Sequence, residues 1–438
     1  MKYEHEWLDL NDSERTDELA RRWDELCDND AESLPVARYS HLRLWLETFA
    51  ADFPSRALVV RRAGQWVAAL PMCARRLRGC LPCWEQLYSD WTPTPQMLID
   101  SEHANDPELY AALARGLRSS RRPLVRLVEL KSGLASERLI AGLAGARLKC
   151  DLAVRYEIGT LNLRGQHAPA SWAAYQQQLS GNFRRKIGKM LRRAESLGGV
   201  ELRVVEPTSP EEVDRWLTEG FAIEDRSWKG QAGCSALRVP GMIEFYRRQA
   251  ELLAVRRELT LLFLVHRGQP IAFQYGWSAG RTYYSPKIGY DEQFSHLSPG
   301  HLLMHLWIER MFAENQYDTF DFAGPVSDST SGWITSTYRI ERLWASTGWC
   351  GNQLLACGLI ARTARHWLKS RNRPEDSDGG ESDQAKVLAA QPESGTPPES
   401  GTNDDGRQRQ PARRPSSPPV LPSLDGNALP ADPTSVGR

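Results

Sequence analysis

Two polar stretches in the second half of the chain hold residue types suited to acid–base chemistry. In "YYSPKIGYDEQF" (283–294), Lys287 and Asp291 stand four apart after an apparent strand. A lysine there can hold an anionic group or polarise a carbonyl, and an aspartate can take a proton from a nucleophile. The alternative is a mutual salt bridge that fixes the loop. In "FAIEDRSWKGQAG" (221–233), Glu224 is a second candidate base, with Lys229 beside it and Trp228 able to stack on a sugar or base or to fill a core. The next segment, "LSPGHLL" (297–303), opens an apolar helix. Ser298 suits an N-cap, Pro299 the first helical position and Gly300 the close approach of a ligand, so free N–H groups and the helix dipole there suit a pyrophosphate. Upstream, six of the ten residues from Arg184 to Arg193 are Arg or Lys. That run is either a solvated helix face or a clamp for phosphate or carboxylate, for which Arg184 and Arg185 are the leading residues.

Several common chemistries lack their signatures. There is no Walker lysine loop and no G-x-G-x-x-G after a strand. Cys80 and Cys83 form one C-x-x-C without a second ligand pair. His301 and His305 in "HLLMH" lack the Glu of a zinc protease, so no metal site is expected.

The elements that must position these residues repeat along the chain. "ALVVRRAGQWVAALPMC" (57–73) and "LFLVHRGQPIAFQYGW" (262–277) each read as a hairpin around a Gly-Gln turn. An amphipathic helix precedes each, "ARYSHLRLWLETFAA" and "PGMIEFYRRQAELLAVRR". Each is followed by a helix and a strand: "DPELYAALARGLRSS" with "PLVRLVELK", then "PGHLLMHLWIERMFAEN" with "YDTFDFAG". A period near 200 residues points to tandem duplication. Between the copies, Trp172, Tyr175, Leu179, Phe183, Ile187, Leu191 and Ala194 recur at helical spacing, with Ser180-Gly181-Asn182 breaking and recapping the helix. The domains so read are a first half over 1–165, a basic helical connector over 166–199, a second half carrying the site over 200–370, and a tail over 371–438. That tail has 11 of the 27 prolines and no aromatic residue, a composition expected to be disordered.

Composition excludes little beyond this. Lys plus Arg equals Asp plus Glu at 55 each, so bulk charge predicts neither a nucleic-acid nor an anionic-membrane partner. The charged N-terminus and the lack of any run near 18 apolar residues predict a cytoplasmic protein with no transmembrane segment and reduced thiols.

Taken together, "WAAYQQQLSGNFRRKIGKMLRRAESLGG", "EDRSWKG", "GQPIAFQYG", "YYSPKIGYDEQFSHLSPGHLL" and "YDTFDFAG" resemble the GNAT acyltransferase superfamily. They are most similar to the CelD-type, cellulose-biosynthesis-associated family related to the FemAB transferases. The resemblance implies an α/β fold of tandem GNAT-like domains, with mixed sheets flanked by helices. It also implies acyl transfer from a thioester, acyl-CoA above all, to an amine or hydroxyl on a saccharide or cell-envelope precursor. Ser298, Pro299, Gly300 and His301 would then face the donor pyrophosphate, and the strand around Phe273 to Tyr284 would offer N–H groups to the thioester oxygen. Arg184, Arg185, Trp228 and Lys229 would contact the acceptor, and a further contact would fall on Tyr338 or Arg339. The FemAB relationship leaves open an aminoacyl-tRNA donor, with the basic helix on RNA. A third reading is a non-catalytic scaffold among envelope-biosynthesis proteins.

Overall fold

The structure, a computed structural model, describes residues 2–12, 16–77, 80–89, 91 and 96–357. The tail expected over 371–438 lies outside the described residues. The site residues described below belong to one compact unit, which takes in the described residues of 1–75 and 82–360.

The first half runs β1 (Glu4–Asp9), α1 (Thr16–Asn29), α2 (Tyr39–Phe49), β2 (Ser55–Arg62), β3 (Gln65–Leu77), β4 (Leu81–Gln86), β5 (Leu98–Ile99), α3 (Pro107–Arg118), β6 (Leu124–Lys131), α4 (Leu134–Gly145) and β7 (Cys150–Asn162). Helices α5 (Trp172–Gln178) and α6 (Gly181–Ser196) connect it to the second half. There the order is β8 (Glu201–Val205), α7 (Pro210–Asp225), α8 (Trp228–Gln231), α9 (Met242–Val255), β9 (Leu259–His266), β10 (Gln269–Ala279), β11 (Thr282–Tyr290), α10 (Pro299–Glu314), β12 (Thr319–Pro325) and β13 (Ser336–Ser346).

The two hairpins read from sequence are β2–β3 and β9–β10, and their turns share one cause. Ala63 and Gly64 have φ of 49° and 82°, and Arg267 and Gly268 have 49° and 79°, the paired positive values of a type I′ turn. The break between the connector helices also forms as its residues dictate, with the Ser180 side chain accepting the Phe183 N–H at 3.2 Å.

A single mixed sheet carries both halves, in the order β1-β2-β3-β4-β6-β13-β7-β12-β11-β10-β9-β8, with β5 paired to β3. Read inward from either edge, the two halves match strand for strand. Their last strands are exchanged: β7 ends the first half in sequence but pairs with β12, and β13 ends the second but pairs with β6. The β7–β13 antiparallel ladder, Ser336↔Thr160 through Ala345↔Cys150, is the seam. The segment ending at residue 165 therefore contributes a strand to the sheet of the segment that starts at 200.

Helices cover both faces. Leu58, Val60, Leu113 and Leu143 pack α3 and α4 onto one face of the first half, while Trp23, Trp45, Ala57 and Val59 join α1 and α2 to the other. In the second half Ile187, Trp307 and Tyr283 fill the α6 and α10 side. Phe221, Tyr246, Phe263 and Tyr275 fill the α7 and α9 side. Burial of such side chains contributes about 1.5–3 kcal/mol each, before chain entropy is set against it. All eight cysteines are free thiols. Among the described residues, no helix is long and apolar enough to cross a membrane.

Candidate active site

Each half contains one parallel strand pair joined by a helix, and each pair holds together only briefly. β4 and β6 pair from Cys83↔Leu124 to Glu85↔Arg126, and β11 and β12 pair from Thr282↔Thr319 to Tyr284↔Asp321. Beyond those residues the two strands of each pair no longer pair with each other, so the sheet divides into a crevice at their carboxyl ends, where α/β sheets bind ligands. The two crevices differ in the first residue past the pairing. In the first half it is Gln86, 3% exposed, whose Oε1 accepts the N–H groups of Val128 (3.0 Å) and Glu129 (3.2 Å) on β6. In the second half it is Ser285, with a side chain too short to span such a gap. The second crevice thus lacks the amide that ties the first together.

At Ser285 and Pro286 β11 also bulges. The register with β10 runs Trp277↔Tyr284 and then Tyr275↔Lys287, which leaves one extra residue on β11 and turns Lys287 to the α7 side while Ile288 packs toward α10. Bulges of this kind re-aim side chains and free backbone N–H groups beside active sites.

Lys287 meets Glu224, which is 1% exposed. Glu224 Oε1 lies 3.1 Å from Lys287 Nζ and 3.2 Å from Lys229 Nζ, and its Oε2 accepts the Ala236 N–H at 3.1 Å. Lys229 also donates to the Ile288 carbonyl at 2.7 Å, and Lys287 sits 5.1 Å from the centre of the Tyr246 ring. Gly289 permits this assembly, because a Cβ there would stand 2.8 Å from Glu224 Cα. Desolvation pushes the Glu224 carboxyl upward, but Lys229 and Lys287 outweigh it and hold its pKa below the ordinary value. Desolvation dominates at Lys229 and lowers its pKa against the pull of Glu224. Two ammonium groups against one carboxylate leave the cluster one positive charge in excess.

Asp291 is 2% exposed and its oxygens are engaged. Oδ2 lies 2.6 Å from Arg226 Nε, and Oδ1 accepts the Gln293 N–H at 3.1 Å. The Lys287–Asp291 salt bridge considered from the spacing is therefore replaced by two separate pairs, because the bulge turns Lys287 toward α7. Trp228 is half-buried on the short helix α8, which Ser227 caps by accepting the Lys229 N–H at 3.2 Å.

At the start of α10 the expected Ser298 side-chain cap does not form. The chain arrives from a tight helical turn over Glu292–Leu297, which leaves Ser298 left-handed at φ 56° with its N–H given to the Ser295 carbonyl at 2.8 Å. Pro299 takes the first helical position. Gly300 has open space, since an added Cβ would meet nothing nearer than Tyr290 Cδ1 at 3.9 Å. His301 lies between the rings of Phe183 and Trp333, 6.1 and 6.2 Å away, and burial followed by the charge of Lys186 lowers its pKa to about 4. The basic helix α6 therefore adjoins the start of α10. Arg184, Arg185, Lys186, Lys189, Arg192 and Arg193 are exposed, and none is in an ion pair among the described residues. Arg185 bonds only within its own helix, to Asn182 and to the Gly181 carbonyl at 3.3 Å.

Sequence reasoning passed over the residue at the crevice edge itself. Asp321, 5% exposed on β12, accepts the Tyr338 O–H at 2.9 Å and the Ala323 N–H at 2.7 Å. Burial raises its pKa, with those two bonds and Lys131 opposing. Tyr338 comes from β13, the exchanged strand, and its own pKa is raised by burial and by Asp321. The overlooked signal was an aspartate between two phenylalanines in "TFDFAG", a carboxylate placed in a core strand.

Residues 181–329 match the family described as an acetyltransferase (GNAT) domain, which spans α6, the bulged strand, α10 and the crevice. No curated protein matches the chain. Among solved structures, FemX is similar at 10% identity over 77% of this chain and 97% of its own, with a TM-score of 0.49. A tandem GNAT protein from the clavulanic acid biosynthesis pathway is similar at 14% identity over 79% and 99%, with a TM-score of 0.42. A conserved protein of unknown function from Bacteroides thetaiotaomicron is similar at 12% identity over 75% and 97%, with a TM-score of 0.46.

Proposed function

We propose that the second half catalyses acyl transfer from a thioester donor, acyl-CoA, to an amine or hydroxyl of a small molecule, a saccharide or a cell-envelope precursor. The observation that carries this reading is the open β11/β12 crevice, with a bulged strand on one side and a buried Asp321–Tyr338 pair on the other. The donor's acyl arm enters where Ser285 leaves room, and its thioester oxygen takes the Ser285 N–H at the bulge, Pro286 having none. Its pyrophosphate lies at the turn of Ser298, Pro299, Gly300 and His301, where Ser298 and His301 already donate to the Ser295 and Ser298 carbonyls and Pro299 has no N–H, so Gly300 and the cations of α6 led by Arg184 and Arg185 hold it. Lys287 and Lys229, with Trp228 beside them, put an excess positive charge on the α7 side of β11.

Asp291 and Glu224 are ion-paired, to Arg226 and to Lys229 and Lys287, which favours their charged, weakly basic form, so they position the loop and the lysines; Asp321 accepts from neutral donors, the Tyr338 O–H and the Ala323 N–H. The base is Asp321. The acceptor attacks the thioester carbonyl, the new C–N or C–O bond forms as the C–S bond breaks, the proton passes to Asp321, and CoA leaves as the thiolate. The test is thiol release from a series of acyl-CoAs with amine and hydroxyl acceptors. Asp321→Asn should lower turnover by about 10²–10⁴-fold. Absence of release with every donor would sink the reading.

A second reading keeps the site and changes the donor to aminoacyl-tRNA, supported by the six exposed and unpaired cations of α6. It requires tRNA affinity that falls with a steep log–log salt slope, and absence of binding at low salt excludes it.

A further inference from the structure

The first half holds a cavity of about 300 Å³ that the donor site does not use. That volume sits at the lower end of the range for small-molecule pockets. It lies between the end of β6, the start of α4 and the link from α1 to α2. Its floor is apolar, with Leu70, Ile99 and Leu127 all buried. Its charged lining is acidic, with Asp30, Glu32 and Glu129 set against the single cation Lys131.

The partners of these groups leave negative charge over. Lys131 Nζ pairs with Glu32 Oε2 at 3.0 Å, and Arg155 Nη1 approaches Glu129 Oε1 at 3.5 Å. Asp30 takes only backbone N–H groups, those of Ile99 and Glu32, both at 2.9 Å, and no ion pair among the described residues includes it. The cavity also adjoins the reacting end of the second half. Lys131 Nζ lies 5.3 Å from the centre of the Tyr338 ring, and Tyr338 is the residue that donates to Asp321. Glu129 in turn accepts the Tyr156 O–H at 2.6 Å on the seam strand β7.

We infer that this cavity receives the acyl acceptor, and that the acceptor is a primary amine carrying an apolar arm. The arm fills the floor, and the ammonium group sits at the acidic mouth; it loses one proton to solvent before attack, and the proton released on attack passes to Asp321. The inference rests on the acyltransferase reading for its chemistry, but occupancy of the cavity does not depend on any donor.

The experiment is therefore calorimetric titration of the full chain, without donor, using n-butylamine, n-hexylamine and n-octylamine, with octanoate and 1-octanol as controls. Affinity should rise roughly fourfold per added methylene until the cavity is full, and octanoate should bind at least about tenfold more weakly than octylamine. Ala135→Phe, which fills the cavity from α4, should cost at least about tenfold in octylamine affinity while acetyl-CoA binding is retained. Ala135→Leu serves if the larger change impairs folding, and Glu129→Gln should weaken the amine but not the alcohol. Octanoate binding as tightly as octylamine, or octylamine affinity unchanged by filling the cavity, would overturn the inference. Amine binding without thiol release from any donor would instead count against the acyltransferase reading alone.

Discussion

Replacing Ser285 by glutamine should convert the second crevice into a copy of the first. In the first half Gln86 Oε1 bridges the gap to the N–H groups of Val128 and Glu129 at 3.0 and 3.2 Å. A glutamine at 285 starts from the same point, one residue past the last β11–β12 pair, and of the two equivalent N–H groups on β12 it can take that of Gly324, since Ala323 already donates to Asp321. A donor arm would then have to break one hydrogen bond, worth about 0.5–1.5 kcal/mol. That predicts a rise in the donor dissociation constant of roughly 2- to 13-fold. The assay is calorimetric titration with acetyl-CoA, supported by urea unfolding to show that the variant is folded. The reciprocal change, Gln86→Ser, strands two N–H groups and should cost about 1–3 kcal/mol per group in stability, with donor affinity unchanged. A Ser285→Gln variant that is folded and binds donor as the unaltered protein does would refute the assignment of the crevice.

Glu224→Ala leaves the partly buried ammonium groups of Lys229 and Lys287 without their carboxylate and should destabilise the fold by up to about 3–5 kcal/mol in urea titrations. Because the folded pKa of Glu224 is lowered, its contribution is complete above the unfolded glutamate value and is lost as pH falls through the folded one. The pKa of His301 is lowered to about 4, so stability should decline as pH falls from the ordinary histidine value toward that figure; His301→Leu should flatten the decline in thermal melts. If Asp321 is the base, kcat/KM should rise with pH through a value above the usual aspartate range, since burial raises its pKa, and Asp321→Asn should abolish that limb.

Much of this arrangement was legible because it rests on local causes. The hairpins follow from Gly64 and Gly268, the break at Ser180 from its cap, and the duplicated order from the apolar periods of α2, α3, α9 and α10. The strand exchange was not legible, since β7 and β13 are each ordinary strands in sequence and only long-range pairing decides which half they join. The same gap hid the site. Lys287 and Asp291 were singled out as neighbours, but a bulge at Ser285-Pro286 sends them to different partners, and a bulge leaves no mark in spacing. Asp321 and Tyr338 are 17 residues apart on strands whose adjacency depends on that exchange. Gln86 and Ser285 acquire meaning only once the two crevices are compared.

The central claim is that the second half binds an acyl thioester in the β11/β12 crevice. Thermal unfolding of the full chain with acetyl-CoA, longer acyl-CoAs and free CoA tests it most directly. A ligand at 100 times its dissociation constant should stabilise the fold by about 2.7 kcal/mol, and Ser285→Gln should reduce that shift at the same concentration. Unfolding that is indifferent to every CoA species at millimolar concentration would contradict the claim.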